Sequence, residues 1–539
     1  MFYSGWGPLT VRCLALLIPC AFAMALAFVS EAAPFRRVGQ ASILSLALAL
    51  VVALGASFEP DDAFLLARTP APLALVRGVC LDASTCLMLA LVCFIGAVII
   101  RFSRTYLDGE AGQQRYARAL LATLAAVTVL VLSRNLLVVS LAWMGTSLAL
   151  HQLLTFYRDR PQALIAAHKK FLLSRFADAC MIGTLAIVGA TVGSLDIDAV
   201  NAWALSHPSL SPSVHGAAVL LVLAVAVKSA QLPFHGWLTQ VMEAPTPVSA
   251  LLHAGVVNIG GFVLIRLAPL VELAPAARTL LLLMGTITAV AAALVMTTRV
   301  SVKVALAWST SAQMGFMLVE CGLGAWQLAL LHIASHSLYK AHAFLRSGST
   351  VDGWRAHAMA PERRPVALPV VVAASATVLG ILGGIVAFAL AFLRSPSLRD
   401  ASVWPLTLLL GLSLSPLVAG AVGQWDAALY LARRAISVAF LYGVWHVVFG
   451  RLLAPASQPF LLGWVVVLTG FVVLFGVQCV LLSHPQGRLA RALQPRLFAG
   501  LYLDEVFTRW TFRLWPPRLK PRDAGGQPLP AQAALEVGS

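Results

Sequence analysis

The sequence predicts an all-α, polytopic membrane protein with about 15 transmembrane helices. Three observations carry that prediction. First, 60% of the 539 residues are hydrophobic and only 11% are charged, where a soluble protein has about 25% charged residues. Second, apolar runs near the ~20 residues needed to cross a bilayer recur along the whole chain. They lie near 8–29, 41–57, 80–100, 117–133, 135–154, 171–192, 214–232, 247–268, 276–298, 302–322, 325–345, 366–393, 403–422, 433–450 and 459–482. Third, the charges collect between those runs. No soluble domain is evident, and the mean hydropathy of +0.86 excludes a globular enzyme with a large core.

The formal net charge is +16. A basic balance can signal nucleic acid, but these basic residues sit in loops, which fits the positive-inside rule instead. Arg36-Arg37, Arg101/Arg104/Arg115/Arg118, Arg158/Arg160/Lys169/Lys170, Arg299/Lys303, Arg355/Arg363/Arg364, Arg433-Arg434 and Arg488/Arg491 fall in alternate loops. Those loops are expected to be cytoplasmic. Glu59-Pro-Asp-Asp and Asp196/Asp198 lie in the opposite set. The N-terminus is then outside and the C-terminus inside. The first apolar run is not read as a cleaved signal, because Pro34-Phe-Arg-Arg follows it and no small-residue cleavage site is clear. The eight cysteines are scattered with no CxxC. That argues against a structural zinc site or an iron–sulfur cluster and for small hydrophobes.

In chain order, residues 1–79 read as two peripheral helices and an exposed loop. Asp82 at the start of the third helix is a favourable N-terminal charge. The helix at 135–154 holds Trp143-Met144-Gly145-Thr146-Ser147 and then His151, which reads either as a relay member or as a satisfied interfacial histidine. Lys169 and Lys170 are expected to snorkel at the membrane edge. Arg175 and Asp178, spaced i, i+3, can pair on one helix face.

The pattern is densest at 228–254. Every residue from Val219 to Val227 is apolar, so Lys228 sits late in a hydrophobic helix. A lysine there must pair, reach water or lose its proton. Pro233 has no N–H for the carbonyl of Ser229, so the helix is expected to kink or break just after the lysine. Freed carbonyls at a half-helix C-terminus favour a cation. Pro245 and Pro247 limit the next short segment, which includes Glu243, and an apolar helix holding His253 begins near Val248. Two readings stand: a proton or cation relay, or a packing kink with a snorkelling lysine. Intramembrane ionisable groups favour the relay.

Further on, Ala307-Trp-Ser-Thr-Ser-Ala-Gln-Met-Gly-Phe316 places Ser309, Thr310, Ser311 and Gln313 in a span. Such groups bond neighbouring helices or line a hydrated path. His332, His336 and Lys340 follow at four-residue steps, which makes one stripe rising about 12 Å. Three titratable groups on that stripe can pass protons through water. A metal pair at His332 and His336 lacks a third ligand, so no metal is expected. Beyond Arg364 the helices at 366–482 are nearly free of ionisable residues apart from Asp426, Arg433, Arg434 and His446, and read as scaffold. Residues 483–515 read as an amphipathic segment that lies on the membrane or docks a soluble partner. Residues 516–539 are expected to be disordered.

Lys228-Ser-Ala-Gln-Leu-Pro-Phe-His-Gly-Trp, Met242-Glu-Ala-Pro-Thr-Pro-Val-Ser-Ala-Leu-Leu-His253-Ala, the 307–316 block and His332-Ile-Ala-Ser-His-Ser-Leu-Tyr-Lys340 together carry a resemblance. Residues 80–350 resemble the antiporter-like, proton-translocating subunits of respiratory complex I and of Mrp cation/proton antiporters. That resemblance implies two inverted five-helix repeats with discontinuous helices. By position, Lys228 looks like the family's broken-helix lysine. His253, His332, His336 and Lys340 look like its hydrophilic axis, within a core of 80–365. Two departures stand out. Met144 occupies the position of the family's helix-five glutamate, so the usual Lys–Glu pair is missing, and no lysine falls in 366–393 for a second broken helix.

These departures, Arg104-Thr-Tyr-Leu-Asp-Gly-Glu110 and the ending Tyr502-Leu-Asp-Glu…Phe512-Arg-Leu-Trp look most like a narrower branch, the DabB-type membrane subunit of inorganic-carbon accumulation complexes. That likeness implies a bacterial cytoplasmic (inner) membrane protein with a large soluble DabA-type partner on the cytoplasmic side, similar to a zinc β-carbonic anhydrase. It implies that H+ or Na+ flow through this chain drives one-way hydration of CO2 to bicarbonate. Zinc would lie in the partner and no cofactor in this chain. A proton-pumping subunit of a complex I-like oxidoreductase or Mrp-type antiporter, and a passive membrane anchor, stay open as alternatives.

Overall fold

A computed structural model describes residues 7–31, 33–58, 74–207, 211–349 and 461–516, with isolated positions between 369 and 444. The first eleven predicted spans and the last coincide with described helices. Those at 366–393, 403–422 and 433–450 lie largely outside the described residues, as do Asp426, Arg434, His446 and the tail beyond 516. No strand occurs among the described residues.

Local signals set the helix boundaries. After α1 (Gly7–Ala27) and α2 (Pro34–Phe58), α3 (Ala83–Tyr106) opens where the Asp82 carboxylate accepts the Thr85 N–H at 2.6 Å. The predicted N-terminal charge at Asp82 is therefore a helix cap. α4 (Gln113–Leu132) is followed by α5 (Leu136–Leu154), capped by Asn135. α6 (Pro161–Val192) starts on a proline and stops at Gly193, whose φ of 73° suits a left-handed C-terminal residue. A short α7 (Ile197–Ser206) precedes α8 (Pro212–Lys228). Nine described helical segments have the length and hydropathy to cross a membrane.

The helix breaks at the lysine: α8 ends on Lys228, and the chain runs without helix to α9 (Gly236–Gln240). Pro233 lies in that gap. A second interruption was not anticipated. The predicted 247–268 span is α10 (Thr246–Ala254), a 3-10 turn at Val256–Asn258, and α11 (Ile259–Arg266). Gly255 sits at the junction with φ −122° and ψ −67°.

The remaining described helices of ten residues or more are α12 (Pro275–Met296), α13 (Val302–Gly322), α14 (Trp326–Leu345), α15 (Leu461–Ser483), α16 (Arg488–Phe498) and α17 (Glu505–Leu514). α1 and α2 pair with each other and lean on α4 and α3, and α6 packs on α8. α10 packs along α14, and α15 lies against α12. The α12–α13 pair is the closest approach. A Cβ added at Gly315 would stand 2.7 Å from both the Ala289 nitrogen and the Gly285 oxygen, backbone atoms that cannot step aside. Small residues at membrane helix contacts work this way. Gly315→Val is accordingly expected to separate the pair and to lower the melting temperature of the detergent-solubilised protein sharply. Gly216→Ala, where a Cβ meets nothing within 4 Å, is expected to leave it unchanged.

Candidate functional site

The first cluster forms where α8 stops. Lys228 Nζ lies 2.7 Å from Asp178 Oδ1, and Arg175 lies 2.7 Å from the other oxygen of the same carboxylate. Asp178 and Lys228 are both buried. The ring of Trp143 on α5 lies under the ammonium at 4.4 Å, a favourable cation–π placement. The pair therefore joins α6 to α8, with α5 beneath it. The Lys–Glu pair is absent at Met144, and the counter-charge to Lys228 comes from Asp178 instead. The Arg175–Asp178 pair exists, but it is shared with Lys228 and is not a private surface pair.

Lys170, on the same face of α6, is also buried. It donates to the carbonyl and hydroxyl of Ser147 at 2.8 and 2.7 Å. Lys169 is only 1% exposed and pairs with Asp504 at 2.8 Å. Snorkelling, expected for both lysines, is thus overturned. Lys170 points into the α5–α6 contact, and the C-terminal helices cover Lys169.

The broken segment 229–235 supplies the link to the next helices. Ser229 Oγ donates to the Val257 carbonyl at 3.0 Å, and the Leu232 N–H donates to Thr288 Oγ1 at 3.0 Å. Asn258, in the second interruption, donates to Ser337 Oγ at 2.7 Å. The two helix breaks therefore meet each other and α14. His235, inside the first break, is fully buried against Trp308, with neither ring nitrogen bonded. It stood in the quoted motif without being singled out.

The second cluster lines α14. Lys340 is fully buried and donates to Ser309 Oγ at 2.8 Å and to the Leu306 carbonyl at 3.2 Å. No described carboxylate forms an ion pair with it. His253 shares a hydrogen bond with Thr310 at 3.0 Å, stacks on Phe344 and leaves Nε2 unpartnered. His253 and His336 both lie in the electrostatic range of Lys340. His336 is buried with neither ring nitrogen bonded, and its ring centroid lies 6.0 Å from that of His332. His332 Nδ1 lies 3.0 Å from Glu320 Oε2, both side chains being nearly inaccessible. Glu320 was missed, although an acid in an apolar span is itself the signal.

Lys228, His253, His332, His336 and Lys340 are thus buried or nearly so, in two clusters bridged by the helix breaks. The supporting candidates divide. Arg175, Asp178 and Ser309 belong to the clusters. Glu243 meets Arg160 at 3.3 Å near the surface. Gln313 is exposed on the far side of α13. His151 lies at the end of α5, its ring 6.0 Å from that of Trp515. Pro245 and Pro247 flank the start of α10, as expected of helix-initiating prolines.

The C-terminal helices fold back over this end of the bundle. Asp504 meets Lys169 and accepts from Gln240 Nε2 at 2.6 Å, and Trp515 stacks on His168 with ring centroids 4.0 Å apart. Val506, Trp510 and Leu514, at four-residue spacing on α17, stay exposed.

Buried imidazoles and amines beside interrupted helices are the equipment of cation movement through a membrane. The relatives agree. Residues 133–363 match the family model described as NADH:quinone oxidoreductase/Mrp antiporter, TM. Residues 70–117 match that of NADH-Ubiquinone oxidoreductase (complex I), chain 5 N-terminus. The chain is 42% identical over 443 residues to the probable inorganic carbon transporter subunit DabB of Hydrogenovibrio crunogenus, covering 81% of this chain and 83% of that one. The chain belongs to the DabB family.

The probable subunit DabB2 of Halothiobacillus neapolitanus is 39% identical and covers 90% of this chain and 89% of its own. The DabB-family fold also matches a structure of the Mrp complex from Dietzia sp. DQ12-45-1b. The TM-score is 0.64 at 23% identity, covering 94% of this chain and 59% of that one. This DabB-family chain is an ion-translocating, antiporter-like membrane subunit.

Proposed function

We propose that this chain passes H+ or Na+ down its gradient across the bacterial inner membrane and thereby drives one-way conversion of CO2 to bicarbonate by a soluble, zinc-containing DabA-type partner. The partner binds on the cytoplasmic side, the side of the basic loops, and the zinc chemistry is its own. The carrying observation is the continuity of the buried clusters in a chain of the DabB family. The Asp178–Lys228–Arg175 group touches the first helix break, and the breaks touch α14, the helix that carries Lys340, His336 and His332, at Ser337.

The geometry suits a charge-coupled relay. Asp178 holds two cations at once. When Lys228 gives up its proton, Arg175 keeps the carboxylate paired, so neither protonation state of the lysine leaves an isolated buried charge. Lys340 has hydroxyl and carbonyl acceptors but no acid, which leaves it free to alternate between protonation states. His253 and His336 lie within reach of its field, so a proton arriving on one group lowers the affinity of the next.

Lys340→Ala, in cells carrying both subunits, is expected to abolish growth in air while membrane levels and partner co-purification stay normal. Growth in air without loss would overturn the proposal. Uncoupler treatment adds a second readout. A passive anchor predicts unchanged inorganic-carbon uptake, whereas this reading predicts collapse. Co-purification with many small membrane subunits, in place of one large soluble protein, would point to a complex I-like or Mrp-type assembly.

A further inference from the structure

Glu320 and His332 form a carboxylate–imidazole pair that neither the sequence motifs nor the family likeness assigns. Glu320 is 5% exposed and lies two residues from the end of α13, at the end of that helix opposite Arg299 and Lys303. An acid so placed is costly unless it is paired. Its described partner is His332 Nδ1, at 3.0 Å. That contact ties up Nδ1 and leaves Nε2 of His332 without a partner. One turn along α14, His336 has no partner on either nitrogen, and one further turn brings Lys340.

Among the described residues, the other groups near the pair are these. Arg278 donates from Nε to the Gly322 carbonyl at 3.1 Å, Cys321 lies beside Glu320, and Phe316 stands against the His332 ring. α15, which packs against Phe316 through Phe471, carries no Asp, Glu, Lys, Arg or His from Leu461 to Ser483.

We infer that Glu320 and His332 form a proton-exchange pair at the end of the Lys340–His336 stripe, through which the path opens toward the side opposite the basic 299–303 loop without using a second broken helix. The inference rests on the relay reading and adds the transported species and the entry. An alkali or alkaline-earth cation takes several oxygen ligands, whereas this stripe offers imidazole nitrogens and one carboxylate. The species handed along it is therefore a proton. Glu320 takes it from water and passes it to Nδ1 of His332, while the Nε2 proton of His332 moves on toward His336. Each proton gained is a proton given up, and no other reactant is needed. Lys340 and Glu320 sit on opposite ends of the stripe, which spans about 12 Å from residue 332 to 340, so the chain's lack of any lysine between Lys340 and Lys520 leaves no gap in the path.

The test is proton flux in proteoliposomes holding the full chain with its co-purified partner, read with an entrapped pH-sensitive dye. Glu320→Gln keeps the shape and one hydrogen bond but holds no exchangeable acid, and is expected to cut H+ flux at least tenfold. Glu320→Asp is expected to retain part of the flux and to shift the pH of half-maximal flux, which a purely packing role does not move. Glu320→Gln combined with His332→Gln is expected to be no slower than either alone, since the two act as one unit. Flux within twofold of wild type in Glu320→Gln, or an unchanged pH profile in Glu320→Asp should the Gln variant fail to insert, would overturn the inference. Lys340→Ala runs in parallel. If it abolishes flux while Glu320→Gln does not, only the entry pair falls; if it too carries wild-type flux, the relay reading falls with it. Radioactive Na+ uptake at wild-type proton flux would overturn the assignment of the proton.

Discussion

Asp178→Asn is expected to abolish transport and to destabilise the protein by about 3–5 kcal/mol, the cost of removing one partner from a buried ion pair. The size follows from what surrounds the carboxylate. Lys228 is its close partner at 2.7 Å, Arg175 shares it, and Lys170 lies in the field of the same cluster. Asparagine supplies an oxygen but no charge. Lys228 and Arg175 would then face each other with no counter-charge between them, and Lys228 would relieve the strain by staying neutral. A permanently neutral lysine carries no proton, so the two losses have one cause.

They can be separated. Combining Asp178→Asn with Lys228→Met removes both buried charges, and Arg175, with a side chain 31% exposed, can turn to water. Deleting a buried pair together is often close to neutral for stability. The double variant is therefore expected to recover most of the melting temperature and none of the growth in air. Recovery of both would mean that Lys228 and Asp178 only hold α6 to α8.

Much of the architecture was legible because bilayer physics makes few structures possible. Backbone groups in lipid must bond internally, so each long apolar run among the described residues became a helix, and Pro233 without an N–H put the first break where α8 ends. The stripe at His332, His336 and Lys340 was legible from its period. Other features were not local. Nothing in residues 170–180 says that Asp178 faces Lys228, fifty positions on. That pairing follows from how α6 packs on α8, and i, i+3 spacing pointed only to Arg175. Lys169 and Lys170 were misread for a related reason: a lysine at a span's edge normally reaches water, unless a distant segment covers it. The break after Ala254 lacked a proline to announce it. Glu320 is an omission that the residues themselves offered, as an ionisable side chain among apolar neighbours, and so is His235.

The covering segment leads to the second large effect. Gly236 opens α9, and a Cβ there would stand 1.4 Å from Asp504 Oδ1, so the carboxylate of Asp504 occupies the space that only a glycine leaves. From that notch it pairs with Lys169 at 2.8 Å, while Thr508 and Gln240 complete the ammonium's hydrogen bonds at 2.7 and 2.8 Å. Asp504→Ala leaves Lys169 buried without a counter-charge. The least costly response is for α16 and α17 to lift away and let the lysine meet water. Trypsin cleavage at Arg509 is then expected to rise at least tenfold, with the bundle's melting temperature little changed. Gly236→Ala expels the same carboxylate from the opposite side and is expected to give the same cleavage. Because both substitutions disrupt one contact, the double variant should be no worse than Asp504→Ala alone. Additive effects would place the carboxylate elsewhere and free Gly236 to be needed only for its backbone. A matching loss of partner in the single variants would tie retention of that partner to the docked C-terminal helices, where Val506, Trp510 and Leu514 remain exposed.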